Sequence, residues 1–284
     1  MQRMAVWQRS AFHLDGRYLC LATCVDNLVT IAETPEQAIE IMSDCEDVML
    51  QRWCQRIGSD SKEFLTCRAY QSPINIPGIW SRRTTLKCLG HHLDDDAGIG
   101  SCFKACAAAM CRSFYANLTA GLLRASKAAK YKSVNSCVRA IASFRWSRWP
   151  FSKTYAMALD ALQRKFLTSL MQVRKNDGEP YDAFIQRRHL IGGHLATACG
   201  RWSHAWARSV VSWDAHVRRA HDDAAWSHLL LEWHSEPWLM MQRWLHSAPG
   251  QSRTKTRAYH GRVQQRWVAG VALAEATVEG AVRA

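Results

Sequence analysis

Hydrophobic and polar positions alternate with period two from Tyr18 to Val25. Leu19, Leu21, Thr23 and Val25 fall on one side, and Tyr18, Cys20, Ala22 and Cys24 on the other. Leu28–Ala32 is a second β-rich run. Asp26 and Asn27 separate the two, and both residue types tolerate positive φ. The pattern therefore predicts a tight hairpin with Asp26 at or beside its tip. The period then lengthens. Ala38, Ile41, Met42, Cys45, Val48 and Met49 recur at helical spacing, with Glu36, Glu40, Asp44 and Asp47 on the other, solvated face. Thr34 is the expected N-cap, Pro35 the first helical residue, and Gln37 the partner that completes a capping box.

Phe64–Cys67 reads as a short strand and Leu86–Leu93 as another, ended by Asp94, Asp95, Asp96 and Gly98. Those three carboxylates lack the ligand spacing of a calcium loop and read as a solvated turn. From Gly100 the period is helical throughout. Phe103, Ala107, Met110, Phe114 and Leu118 make one stripe, and Tyr131, Val134, Val138 and Ile141 a second. Pro150 breaks the chain, Ser152 is placed to cap, and Tyr155, Leu159, Leu162, Phe166 and Leu170 form a third stripe. Asp177-Gly178-Glu179-Pro180 is a linker. Beyond it Trp202, Trp206 and Trp213 share one face, and Trp226, Leu230 and Trp233 another. The expected class is α+β: a small antiparallel sheet with a packed helix over residues 1–98, then a mostly helical remainder. That remainder divides into a basic helical part at 99–176, a Trp-rich tail at 181–248 and a loosely ordered end at 249–284.

Charge follows the same divide. Residues 1–100 hold 10 Lys/Arg and 13 Asp/Glu, whereas residues 101–284 hold 27 and 11. A surplus of that size points to a polyanionic partner, nucleic acid before membrane. The longest apolar runs, Ala105–Cys111 and Val268–Ala274, fall far short of the ~20 residues of a bilayer span. Eleven cysteines without any C-x-x-C, and no secretory apolar segment, argue for a reducing, intracellular setting, nuclear or cytoplasmic. Cys102, Cys106 and Cys111 fit small buried helix positions better than zinc ligands.

The order of the early segments resembles the palm of a reverse transcriptase, in the branch of non-LTR retrotransposons. Cys24-Val25-Asp26-Asn27 stands where that family has an aromatic-x-Asp-Asp hairpin. The segment Ile57–Leu65 is similar to the one in which a lysine, here Lys62, precedes a short strand. Leu86-Lys87-Cys88-Leu89-Gly90-His91 is similar to the family's primer-grip strand. Downstream, Asp160-Ala161-Leu162-Gln163-Arg164, Trp202-Ser203-x-x-Trp206 and Trp213-x-x-His216-x-x-Arg219 look like the tail that follows the polymerase. The resemblance spans roughly residues 18–245. It implies a partial palm-like sheet, a helical thumb, a template–primer partner and Mg2+ held by Asp26, with Lys62 near the incoming triphosphate.

Phosphoryl transfer to a 3′-hydroxyl uses two metal ions, and magnesium takes hard oxygen ligands, carboxylates above all. Two departures bear on that chemistry. Asn27 replaces the second aspartate. The partner carboxylate, which the family supplies from a strand several dozen residues earlier, has only Asp15 as a counterpart, beside Gly16 in an expected turn. The chain is therefore expected to lack polymerase activity alone. An Asp-Asn pair is also an ordinary turn that does no chemistry by itself.

Residues 124–165 carry ten cations and one acid, Asp160. Arg124, Lys127, Lys130, Lys132, Arg139, Arg145, Arg148 and Lys153 are the expected phosphate contacts, and Trp146 and Trp149, beside Pro150, the expected stacking residues. Tyr131 and Tyr155 lie on apolar stripes and read as core. Two further readings stand beside the enzyme fragment: a basic helical nucleic-acid-binding module without catalysis, and the product of a decayed reading frame.

Overall fold

The computed structural model describes residue 7 and residues 12–14, 17–19, 21–24, 27–32, 34–58, 62–66, 80–88, 91–94, 99–219 and 267–283. The chain forms two compact units, Met1–Cys102 and Phe103–Ala284, divided where the charge balance changes sign. The class is α+β, mostly helical with a few small sheets.

In the first unit β1 (Phe12–Leu14) pairs antiparallel with β2 (Arg17–Leu19), and the closing pair Leu14↔Arg17 leaves Asp15 and Gly16 as the connection. β3 (Leu21–Cys24) pairs with β4 (Asn27–Thr30). The run expected as one strand from Tyr18 to Val25 is thus divided at Cys20. Its first part pairs backward with β1 and its second forward with β4. The closing pair of the second hairpin is Cys24↔Asn27, so the connecting residues are Val25 and Asp26, one position earlier than expected. Turn preference is a local term. β4 is held at its other end, where Thr30 Oγ1 donates to Ala38 O at 3.3 Å.

Ala38 belongs to α1 (Pro35–Trp53), whose start follows from its sequence. Thr34 Oγ1 accepts from the Gln37 N–H at 3.3 Å, and Gln37 Oε1 accepts from the Thr34 N–H at 3.1 Å. Ile41, Met42 and Cys45 are buried while Glu36, Glu40 and Asp47 are exposed, as the stripe requires. Cys54, in the left-handed region at φ 53°, ends the helix.

The remaining strands differ from expectation. β5 (Glu63–Leu65) pairs parallel with β6 (Ser81–Arg83), which the long connection over residues 66–80 allows. β7 (Thr85–Cys88) and β8 (His91–Asp94) form an antiparallel hairpin where one strand was expected. The closing pair is Cys88↔His91, and Leu89 and Gly90 between them lie outside the described residues. Among the described residues the strands pair only two by two, in place of a single antiparallel sheet.

The second unit opens with α2 (Gly100–Asn117) and the short α3 (Ala120–Arg124). α4 (Lys127–Ser133) runs through a π-helical segment, Val134–Arg139, into α5 (Ala140–Trp146). α6 (Lys153–Leu170), α7 (Tyr181–Cys199), α8 (Trp202–Arg219) and α9 (Trp267–Arg283) complete it. α6 packs against α7 and α8, and α9 lies along α8. Val134, Val138, Ala142 and Trp146 are all buried although they repeat strictly every four residues. On an α-helix that repeat drifts about 40° per step, and the wider π turn absorbs part of the drift. The core continues through ring contacts: Phe114 stacks on Phe166 at 4.6 Å, and Phe166 meets Trp202 at 6.2 Å. α9 comes so close to the loop after Pro150 that a Cβ on Gly270 would lie 2.7 Å from Phe151 N. No helix among the described residues is long and apolar enough to cross a membrane.

Candidate nucleic-acid interface

The start of α8 is built from the side chains of other helices. Gly200 and Arg201 precede it, and neither carries a side-chain oxygen that could cap its free N–H groups. α6 supplies the acceptors. Gln163, fully buried, accepts from the Trp202 N–H at 3.1 Å and donates to Gly200 O at 2.9 Å. Asp160 accepts from the Ser203 N–H at 3.0 Å and from Ser203 Oγ at 2.8 Å. A carboxylate there also faces the positive end of the helix dipole. From the π segment, Asn135 Oδ1 accepts from Trp202 Nε1 at 3.1 Å. The segments Asp160–Arg164 and Trp202–Trp206 therefore meet in space, through residues whose pairing the sequence pattern leaves unseen. An uncapped helix start is the signal that an outside acceptor must exist.

Trp146 and Trp149 are corrected by the structure. They are only 1% and 4% exposed, and their carbonyl oxygens accept from Trp206 Nε1 at 3.1 and 3.4 Å. Trp146 ends the buried four-residue repeat, and the Trp149 ring meets Trp206 edge-on at 6.2 Å. Both indoles are core, and no base can stack on them in this arrangement. Phe144, by contrast, is 52% exposed and carries the Arg145 guanidinium over its ring at 4.5 Å.

The expected phosphate contacts lie at the surface. Arg124, Lys127, Lys132, Arg148 and Lys153 are exposed, and Lys130, Arg139 and Arg145 half-buried. Residues 103–219 hold 20 Lys/Arg and five Asp/Glu. Three of those acids are committed internally. Asp160 holds Ser203, Asp214 holds Arg218 and Trp267 Nε1, and Glu179 holds Arg187. Among the described residues only Arg187 and Arg218 of those 20 cations form an ion pair.

On the first unit, Asp26 lies outside the described residues, as do Leu89 and Gly90 of the primer-grip segment. Asn27 is a strand residue, Lys87 is exposed, and Leu86 and Cys88 are half-buried. Lys62 is buried, and its ammonium is already neutralised by Glu46 at 2.5 Å, beside the Trp80 ring at 5.8 Å. That placement gives it a partner within its own unit where a triphosphate contact was expected. Among the described residues no three His, Cys, Asp or Glu converge on a metal position. The donor set that the resemblance supplies, one carboxylate and one amide, falls short of what two magnesium ions require.

Burial pushes the Cys199 thiol up, against hydrogen bonds from Asn135 and Gln163 and the nearby charge of Arg139. Burial also raises the Tyr131 phenol, with Cys199 nearby, and lowers His204, with Arg201 adding to that shift. The chain matches no family model, no curated protein and no solved structure.

Proposed function

We propose that the chain binds nucleic acid through the basic surface of its helical unit. The observation that carries this is the imbalance of charge and pairing: 20 cations over residues 103–219, of which two find a carboxylate among the described residues. Such a surface repels itself and attracts a polyanion, and the dense charge of a phosphodiester backbone is its natural complement.

A second reading stands with it. We infer that the chain is the carboxy-terminal part of a reverse transcriptase of the non-LTR kind, with a partial palm-like unit, a thumb and a tail. The contact of Asp160 and Gln163 with Trp202 and Ser203 favours this, because both segments belong to the resemblance. On this reading the chain grips template–primer but does not polymerise alone, since its carboxylates are too few for two magnesium ions.

Fluorescence anisotropy of the purified chain with labelled RNA and DNA tests the first reading. Affinity should fall about ten-fold or more between about 50 and 200 mM salt. Binding that ignores salt would sink it. Magnesium-dependent primer extension by this chain, abolished by Asp26→Ala, would overturn the inactivity.

A further inference from the structure

α6 and α7 are consecutive helices that touch closely where Gly192 meets α6. A Cβ there would lie 3.1 Å from Thr168 Cγ2 and 3.2 Å from Arg164 Cβ. Beside this contact is an open groove of about 350 Å3. Arg164 and Lys165 line it from α6, and Arg188 and His189 from α7. Thr168 sits between them, accepting from Arg188 Nε at 3.2 Å while its own hydroxyl donates to Arg164 O at 2.8 Å. One bond holds the Arg188 guanidinium and leaves its other N–H donors for a ligand. No carboxylate lines the groove, and none of its cations forms an ion pair among the described residues. The neighbouring Arg187 shows the alternative, clamped in a two-pronged pair by Glu179 at 2.8 and 2.7 Å. Three permanent charges around one concavity, without an ion pair among the described residues, favour an anion there.

We propose that this groove seats one phosphodiester unit of a single-stranded nucleic acid. The phosphate meets Arg164, Lys165 and Arg188, and the sugar or base lies against Ile185, which is 41% exposed, and Ala161. The volume suits a single nucleotide, whereas a duplex is far too wide to enter it. The groove holds no Phe, Tyr or Trp ring and no amide side chain, so its contacts fall chiefly on the phosphate and sugar, with the His189 imidazole as its one ring. This rests on the nucleic-acid reading above and gives it a location that the sequence pattern misses. Its only trace in the sequence is two basic pairs, Arg164-Lys165 and Arg188-His189, on consecutive helices.

The test uses the full chain, a labelled oligothymidylate and a labelled hairpin duplex. Arg164→Met with Arg188→Met removes two charges and keeps the Arg164 stem that packs at Gly192. It should weaken oligothymidylate binding about ten-fold and flatten the salt slope by about 0.7, the value for one phosphate contact on a single strand. Ala161→Trp, at an exposed helix position, fills the groove without changing charge and should weaken binding at least about five-fold with an unchanged melting temperature. It keeps the test decisive should the double variant unfold. Lys127→Gln with Lys132→Gln removes two exposed charges elsewhere on the unit and should cost less than about three-fold, and the duplex should bind the groove variants as it binds the parent. If the groove variants bind the single strand like the parent while the α4 pair loses it, the groove is wrong and the nucleic-acid reading survives. If the parent shows no salt-dependent binding to either probe, both fail.

Discussion

Removal of the Asp160 carboxylate tests how the helical unit is held together. Asp160 accepts two hydrogen bonds from Ser203, which is only 6% exposed, so water cannot readily replace the lost acceptor. Loss of an N-cap typically costs about 0.5–2 kcal/mol. Here a hydroxyl donor is orphaned as well, and bonds to a charged group contribute about 1.5–3 kcal/mol each before overlap is counted. Asp160→Ala should therefore destabilise the unit by about 3 kcal/mol. For a unit of this size that is a fall of about 6–12 °C in melting temperature. Asp160→Asn keeps an acceptor for the Ser203 N–H and loses the charge, so about 1 kcal/mol is expected.

Circular dichroism melts of the two variants, with Ser203→Ala and the double variant completing a cycle, supply the measurement. The Asp160–Ser203 coupling should be about 1 kcal/mol, because Ser203→Ala removes one of the two bonds and leaves the backbone one. If Asp160→Ala and Asp160→Asn fall together within about 0.5 kcal/mol of the parent, α6 does not cap α8 and the contact that joins the two segments is wrong.

Glu179 gives a pH signature. Arg187, and then the Asn176 N–H, hold its carboxyl at about 2, from an ordinary 4.5. A folded value below the unfolded one stabilises fully above the unfolded value and ceases to as pH falls toward about 2. Melts of the parent and Glu179→Gln should therefore differ at pH 6 and converge between pH 4.5 and 2; parallel profiles would remove the clamp. Gly270→Ala places a Cβ 2.7 Å from Phe151 N, backbone that cannot yield, and should cost about 1–3 kcal/mol despite the better helix former. Gly280→Ala, on the same helix with nothing within 4 Å, should instead gain up to about 1 kcal/mol, and equal effects at the two sites would refute the close approach. Glu46→Ala leaves the Lys62 ammonium buried and alone, at about 3 kcal/mol, and adding Lys62→Met should recover most of that loss in denaturant melts. No recovery would mean the pair is not what holds Lys62.

What could be read from the sequence was whatever depended on near neighbours. The capping box of α1 joins residues three apart and the stripe of Ile41, Met42 and Cys45 repeats within two turns, so both are legible. The hairpin beyond β3 is legible as a hairpin, but its closing pair is Cys24↔Asn27, one residue from the expected register, because turn preference alone does not fix strand pairing. The hairpin of β7 and β8 reads as one strand because a single glycine in the short run Leu86–Leu93 does not by itself mark where the chain folds back. Trp146 and Trp149 fail for a different reason. Proximity to Pro150 marks a break in the chain, but whether a break is exposed depends on what arrives to cover it. Here Trp206 does, from nearly sixty residues away. The groove at α6 and α7 is equally non-local, because each basic pair alone is an ordinary solvated helix face.

The charge of the helical unit is best understood through what its few acids do. Asp160 caps a helix, Asp214 ties α8 to α9 through Trp267 and Glu179 fixes the turn before α7, so each is spent on structure. The aromatic core from Phe114 to Trp206 then has to outweigh the repulsion of the cations left over. Surface ion pairs contribute so little that their absence scarcely weakens the fold. The same absence matters greatly for binding, because a cation without an internal partner loses no ion pair when a phosphate arrives. The Arg187–Glu179 clamp makes the point from the other side. That arginine would have to give up a two-pronged carboxylate before it could contact a phosphate, whereas Arg188, one position on, has among the described residues only the Thr168 hydroxyl to share. Adjacent residues of one type on one helix are thus assigned opposite roles by what faces them, and composition cannot show that distinction.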